Sequence, residues 1–399
     1  MSDYRRHLSD AIGDCPPLPP LEIPLADAVG SRAVAPIVTQ HNVPSVPVAP
    51  ARAFAVVAAD LAAASADHPV TLDIADDVPA GYQSSGPVET GQAVRLAPGA
   101  PVPDGADALI DGSSVTVDAD SAVFTSPAEL GGWTSAGSTF LAGDEVLPAG
   151  ARLGHSALLA LALCGLARIG VHPRPRVVII TVGSEWVRVV DEVAAGLTHE
   201  PFGVALAVSA RALGADAFRV GPVPDEARTV RETVEDQLVR ADMLITVGGI
   251  DDDRDIVRAE LAATGTVRFD GPPLLPLNGY GLGRIGPDGT PIVALPDDPA
   301  AALLGFHALA RPIIDAFRGV VDAEGSDRLW GPVRATLSGG APEIGEGQRL
   351  VPGALDNGSF RPIPAPNPGA GALLSCNGMA VIDGSTTAGD TIEVIRWPG

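Results

Sequence analysis

Apolar runs of two kinds divide the chain. Between residues 27 and 141 they are short and separated by turns, as in Val70-Thr71-Leu72, Ala93-Val94-Arg95-Leu96 and Ser114-Val115-Thr116-Val117. Short runs at this spacing predict strands of a small β-rich domain. From residue 174 the pattern changes. Arg176-Val177-Val178-Ile179-Ile180-Thr181-Val182, Met243-Leu244-Ile245-Thr246-Val247 and Pro291-Ile292-Val293-Ala294-Leu295 are continuous apolar runs, as strands covered on both faces require. Helical periodicity follows each of them, over residues 204–213, 256–263 and 300–317. This alternation predicts a parallel sheet with right-handed crossovers. After Gly319 β-type runs return, with Pro-rich turns around 362–368 and a last strand over Thr391–Arg396.

The charged segment before Asp14 predicts a short helix rather than a signal peptide. Pro16-Pro17-Leu18-Pro19-Pro20 ends it and reads as a linker in preference to a polyproline ligand. Residues 153–170 carry a helical pattern. The apolar stretch 157–171 contains Arg168 and is too short to span a bilayer, so a core helix is expected there. The organisation expected is an α/β multidomain protein: 1–26 plus 142–172 helical or linker, 27–141 β-rich, 173–320 α/β and 321–399 β.

Composition narrows the function. Of the 399 residues 46% are apolar and only 4% aromatic, so the cores must be built from Ala, Val, Leu and Ile. A net charge of −23 argues against nucleic acid and against anionic membrane surfaces. All 26 basic residues are Arg and none is Lys, which excludes a Schiff base, a lysine base and a lysine phosphate clamp. Cys15, Cys164 and Cys376 are far apart and odd in number. They offer no metal spacing and no disulfide framework, as expected of a reducing cytoplasm.

Ligands of open parallel sheets bind at the loops leaving the carboxyl ends of strands. Here those loops are Gly183-Ser184-Glu185, Gly248-Gly249-Ile250-Asp251-Asp252-Asp253-Arg254-Asp255 and Pro296-Asp297-Asp298-Pro299. Ser184 lacks the second glycine of a nucleophile elbow, and His199 has no nucleophile beside it in sequence. Gly279-Tyr280-Gly281-Leu282-Gly283 neither follows a clean strand nor opens a helix, so it predicts a hairpin turn.

In their order these segments resemble the MoeA/gephyrin E-domain family. The family's turn Thr-Gly-Ala-Pro-x-Pro-x-Gly-Ala-Asp-Ala is similar to residues 98–108, Pro98-Gly99-Ala100-Pro101-Val102-Pro103-Asp104-Gly105-Ala106-Asp107-Ala108. Arg174-Pro175-Arg176-Val177 through Gly183-Ser184-Glu185-Trp186 resembles its Arg-Pro-Arg-Val strand and Gly-Asp-Glu-Leu turn. Residues 248–255 look like its Gly-Gly-Val-Ser-Val-Gly-x-x-Asp loop, one residue shorter, and Leu295-Pro296-Asp297-Asp298-Pro299 like its Leu-Pro-Gly-Asn-Pro turn. The resemblance covers nearly the whole chain. It implies an elongated MoeA-like protein with a parallel MogA/MoaB-like α/β domain, a β-rich domain and a C-terminal β-barrel-like domain. It also implies insertion of molybdenum into molybdopterin released from an adenylated form, Mg²⁺ as cofactor if the enzyme is active, and a cytoplasmic homodimer with no membrane insertion.

By that resemblance the ligand-binding candidates are Gly183, Ser184, Glu185, Gly248, Gly249, Asp255, Pro296 and Asp298, and the catalytic candidates Asp107, Glu185 and Asp255. Asp251, Asp252, Asp253 and Asp255 are candidates to hold Mg²⁺, since carboxylates suit hard cations. The bland alternative, which we favour, is that they complement a helix dipole and face water. Arg254, Arg258 and Arg284 are the cations able to offset this acidity.

The departures from the family pattern are as informative. Pro47 and Arg52 stand where it has acidic residues, Ser138-Thr139 where it has Glu-Asp, and Ser184 where it has Asp. His199-Glu200-Pro201 replaces Asp-Ser-Asn, and Leu275-Pro276-Leu277-Asn278-Gly279 replaces a Lys-Pro-Gly-Lys-Pro anion clamp. Catalysis is therefore expected to be lost or impaired. The alternative reading is a gephyrin-like dimeric scaffold that binds a short partner peptide, for example a cytoskeletal or cell-division protein tail such as that of FtsZ.

Overall fold

The computed structural model describes residues 3–250, 255–277, 279–320, 333–340, 347–363 and 369–397. The chain forms two compact units. One draws on Met1–Ala35, Gly150–Gly154 and Arg168–Gly399, the other on Pro36–Ala149 and His155–Ala167.

The first unit opens with helix α1 (Asp3–Ile12), which buries Tyr4, His7, Leu8 and Ile12 on one face. Its sheet is built from β1 (Arg176–Val182), β2 (Asp216–Val223), β3 (Met243–Val247), β4 (Gly281–Ile285) and β5 (Thr290–Leu295), in the order β2-β1-β3-β5-β4. The pairs β1–β2, β1–β3 and β3–β5 are parallel, and β4–β5 is antiparallel. Helices α2 (Phe202–Ala212), α3 (Ala227–Leu238) and α4 (Ile256–Thr264) connect the strands. Alternate residues of β1 and β3 feed two cores: Val177, Ile179, Met243 and Ile245 join α1 and α2, and Val178, Ile180 and Leu244 join α3 and α4. This two-sided burial is what the continuous apolar runs predict.

Two elements escape the apolar pattern. β2 lies at the sheet edge with Asp216, Phe218 and Arg219 exposed, and α3 buries only Val230, Val234 and Gln237. A half-buried edge needs no continuous run. The turn expected at 279–283 is corrected: Gly281–Ile285 is a strand, and the hairpin turns at 286–289, where Gly286 and Gly289 have φ of 72° and 65°. The glycines of β4 make room for neighbours instead. A side chain at Gly281 would meet the Phe269 ring, and one at Gly283 the Thr266 carbonyl.

The core helix expected over 157–171 is also corrected. A helix spans only His155–Leu163 and buries only Leu161, and Arg168–Val171 is a strand paired with Leu21–Pro24. Gly165, at φ 79°, breaks the chain between them. The apolar helix that does fill the core runs over Pro299–Phe317. It is long and apolar enough to cross a membrane by composition, but 78% of it is buried. We call it α5; it passes through a π-turn at Phe306–Ala310.

Beyond α5, β6 (Val333–Leu337), β7 (Gln348–Asp356), β8 (Ser359–Pro362), β9 (Gly378–Asp383) and β10 (Thr391–Arg396) pair in the order β7-β8-β6-β10-β9. β9 pairs back onto β7, closing a five-stranded barrel around Ala335, Leu337, Val351, Phe360 and Val394. The last strand falls where the sequence predicts it. The second unit is built on a six-stranded sheet in the order Ala108–Asp111, Ala53–Val56, Gln92–Leu96, Val70–Val78, Ser121–Phe124, Thr116–Asp118. The run at 114–117 starts late, because Gly112–Ser114 forms a 3-10 turn capped by the Asp111 carboxylate.

The π-turn carries a buried liability. His307 stacks on Trp397 at 5.1 Å, and neither of its ring nitrogens has a hydrogen-bond partner among the described residues. Burial, helped by Arg311, pushes its pKa from 6.5 down to about 3. The unfolded chain therefore takes up a proton that the fold refuses, and stability falls as pH drops from 6.5 towards about 3. His307→Phe keeps the ring and removes two unpaired polar atoms. It should raise stability at pH 7 by about 1 kcal/mol or more and flatten this acid loss, as read from urea melts at several pH values.

Candidate functional site

The carboxyl ends of β1, β3 and β5 emerge side by side because the three strands are parallel neighbours. Their loops are tied at the backbone: the Gly183 N–H donates to the Val223 carbonyl at 2.9 Å, and the Gly248 N–H to the Leu295 carbonyl at 3.0 Å. Gly248 has φ 94°, and a Cβ there would run into the Val182 carbonyl oxygen with the Asp297 side chain beyond. Gly183 lies against the Trp186 ring, which meets Phe202 edge-on at 5.0 Å. These glycines let three loops close on one another.

The groups that meet here are mostly acidic. The Ser184 N–H donates to the Asp225 carboxylate at 3.0 Å, and the Asp225 N–H donates to the Ser184 hydroxyl at 3.2 Å. Glu185 is half-buried, and its carboxyl is pushed above the usual range first by burial and then by Asp225 and Asp297. Asp298 caps α5, accepting the Ala301 N–H at 2.7 Å. Glu200 is buried, and one of its oxygens accepts the Thr181 hydroxyl at 3.1 Å and the Gly203 N–H at 2.6 Å.

The structure brings together Gly183, Ser184, Glu185, Gly248 and the Pro296-Asp297-Asp298 turn. Gly249 packs on Val257, and Asp255 stands at the N-cap position of α4. Asp251, Asp252, Asp253, Arg254 and Asn278 lie outside the described residues, and among those described no group of three His, Cys, Asp or Glu is placed to hold a metal. The other two cations expected to offset the acids are committed elsewhere. Arg258 lies over the Phe269 ring at 5.1 Å, and Arg284 donates to the carbonyls of Ile12, Asp14 and Gly289.

Asp107 belongs to the β-rich unit, where its carboxylate accepts the Ala58 N–H at 2.5 Å and fixes the start of the 3-10 turn Ala58–Leu61. In the turn that leads to Asp107, Gly105, at φ 87°, abuts the Val88 carbonyl. Asp225 is outside the candidates read from the sequence. It follows β2, the strand that the apolar pattern does not mark, and only the Pro222-Val223-Pro224 punctuation before it signals a strand end.

Gly248→Ala must strain both φ and the end of β1. It should cost about 1–3 kcal/mol, with the second unit unaffected. Hydrogen exchange at Val182 and Val247, compared with Val94 in the other unit, measures this directly.

Comparison with known proteins agrees with this architecture. Residues 3–165 match the family described as MoeA N-terminal region (domain I and II), and residues 178–316 that described as probable molybdopterin binding domain. Molybdopterin molybdenumtransferase 1 of Mycobacterium tuberculosis is 30% identical over 322 residues, covering 74% of this chain and 73% of that protein. Molybdopterin molybdenumtransferase 2 of the same organism is 28% identical over 330 residues, covering 81% and 80%. A solved structure of the molybdopterin biosynthesis MoeA protein from Pyrococcus horikosii superposes with a TM-score of 0.83 at 23% identity, covering 100% of both chains. The chain belongs to the MoeA, or molybdopterin molybdenumtransferase, family.

Proposed function

We propose that this chain keeps the MoeA scaffold of molybdenum cofactor biosynthesis but inserts molybdenum into adenylated molybdopterin poorly or not at all. The observation that carries this reading is the charge of the strand-end site. Burial first, then Asp225 and Asp297, push the Glu185 carboxyl up there, and the described arginines Arg258 and Arg284 are engaged elsewhere. The family clamp's lysines are absent, because the chain has none. A carboxylate about 6 Å from a phosphate opposes it by roughly 3 kcal/mol at an effective dielectric near 20. Several such terms outweigh a few backbone hydrogen bonds of about 1 kcal/mol each. Purified protein supplied with adenylated molybdopterin, Mg²⁺ and molybdate should show no turnover above the uncatalysed rate. Turnover at the rate of the M. tuberculosis relatives would sink this reading.

A second reading, a cytoplasmic dimeric scaffold that holds a short peptide, is favoured by a cavity of about 710 Å³ in the first unit. Tyr4, Leu8 and Ile12 of α1, Ile313 of α5, Val333 of β6 and Ile395 of β10 give it apolar walls, with Arg5, Arg334 and Glu393 also lining it. The size is that of a ligand pocket. The dimer is supported by His155–Leu163, whose Leu159 and Leu163 are 65% and 56% exposed and which bears no Asp, Glu or Arg. Two copies of a chain of charge −23 approach most cheaply through an uncharged face. Ser9→Trp, at an exposed lining position, should abolish capture of a bound partner and leave a dimer by light scattering. Leu159→Glu with Leu163→Glu should give a monomer. A partner retained by Ser9→Trp, or a wild type that is itself monomeric, contradicts this reading.

A further inference from the structure

We propose that Glu200 is a built-in anion that occupies the phosphate-accepting end of α2, so that the strand-end site rejects anionic ligands by self-occupancy as well as by net charge. This rests on the reading of impaired catalysis above and gives it a residue.

The N-terminus of a helix that follows a parallel strand is a ready anion site, because its first N–H groups are free and its dipole favours negative charge. In this chain the position is filled from within. Glu200 is 8% exposed and lies between the end of β1 and the start of α2. One carboxylate oxygen accepts both the Thr181 hydroxyl, one residue from the end of β1, and the Gly203 N–H, in the first turn of α2. The second bond, at 2.6 Å, is as short as charge-assisted bonds are.

The fit is close. The other carboxylate oxygen would lie 3.2 Å from a Cβ at position 203, and the Arg219 stem 3.4 Å from it, so a residue larger than glycine would crowd the plug. A tethered carboxylate competes with a free anion at a high effective concentration. The neighbouring N–H groups follow suit: Ser184 gives its own to Asp225, and Ala301 to Asp298. At the loops leaving β1 and β5, an anion from solution meets donors that carboxylates of this chain already hold.

The test is a calorimetric titration of the full chain with inorganic pyrophosphate at fixed pH and ionic strength. Glu200→Ser empties the cradle, and Glu200→Gln keeps the plug's shape without its charge. Glu232→Gln removes the same charge from the exposed face of α3. Wild type and Glu232→Gln should show no saturable binding. Glu200→Ser should gain affinity by at least about tenfold, and Glu200→Gln by less. The proposal is overturned if wild type binds as tightly as Glu200→Ser, if the folded Glu200→Ser gains nothing, or if Glu232→Gln gains as much. Should Glu200→Ser not fold, Glu200→Gln decides by the same comparison. Turnover of adenylated molybdopterin by the wild type would remove the reading of impaired catalysis and with it the rejection of anions, whereas a folded Glu200→Ser that gains nothing beside an inactive wild type would remove the role of Glu200 alone.

Discussion

The first unit is organised by the need to cover β1, β3 and β5 on both faces. These strands have no side that tolerates water: every residue of β3 and β5 is buried, and all of β1 except Arg176. Helices must therefore lie on both sides, and a right-handed crossover is the economical way to place them. Parallel strands then end together, and whatever the loops carry is gathered at one edge. The position of the site follows from hydrophobic burial, before any polar residue is considered.

What the loops carry is a matter of charge, and here they carry Glu185, Asp225, Asp297 and Asp298. Backbone N–H groups at a strand-to-helix junction need an acceptor when water is excluded. This chain supplies acceptors of its own in Asp225, Glu200 and Asp298, which stabilises the loops. Satisfaction of the backbone and recognition of an anion are competing uses of the same donors.

Much of this was legible in the sequence. Long apolar runs announce strands buried on both faces, so β1, β3, β5 and α5 could be read directly. The motif order identified the family scaffold, barrel included. What could not be read was less apolar or more local. β2 sits at the edge of the sheet and α3 is a largely exposed helix, so both patterns are diluted and Asp225 stayed hidden beside them. The glycines of β4 look like a turn because a sequence does not show that Phe269 and Thr266 press against them. Residues 155–163 look like core because apolar composition does not reveal whether a partner surface exists within the chain. The direction of a side chain is the least legible of all: Arg284 could be counted as a cation near the site, but its three carbonyl partners are on and beside α1 and in the β4–β5 turn.

Those three bonds reach further than the chain's local geometry. Arg284 joins Ile12 and Asp14 to a hairpin about 270 positions away, and α1 is also a wall of the cavity. The docking of α1 and the existence of the cavity are therefore one equilibrium. A molecule that seats in the cavity binds only chains in which α1 is latched, and by mass action it must shift the melting of the whole unit. The latch makes heat a reporter of occupancy: an unlabelled occupant, unknown in advance, would announce itself as a rise in unfolding temperature, from a baseline that drops when Arg284 is replaced.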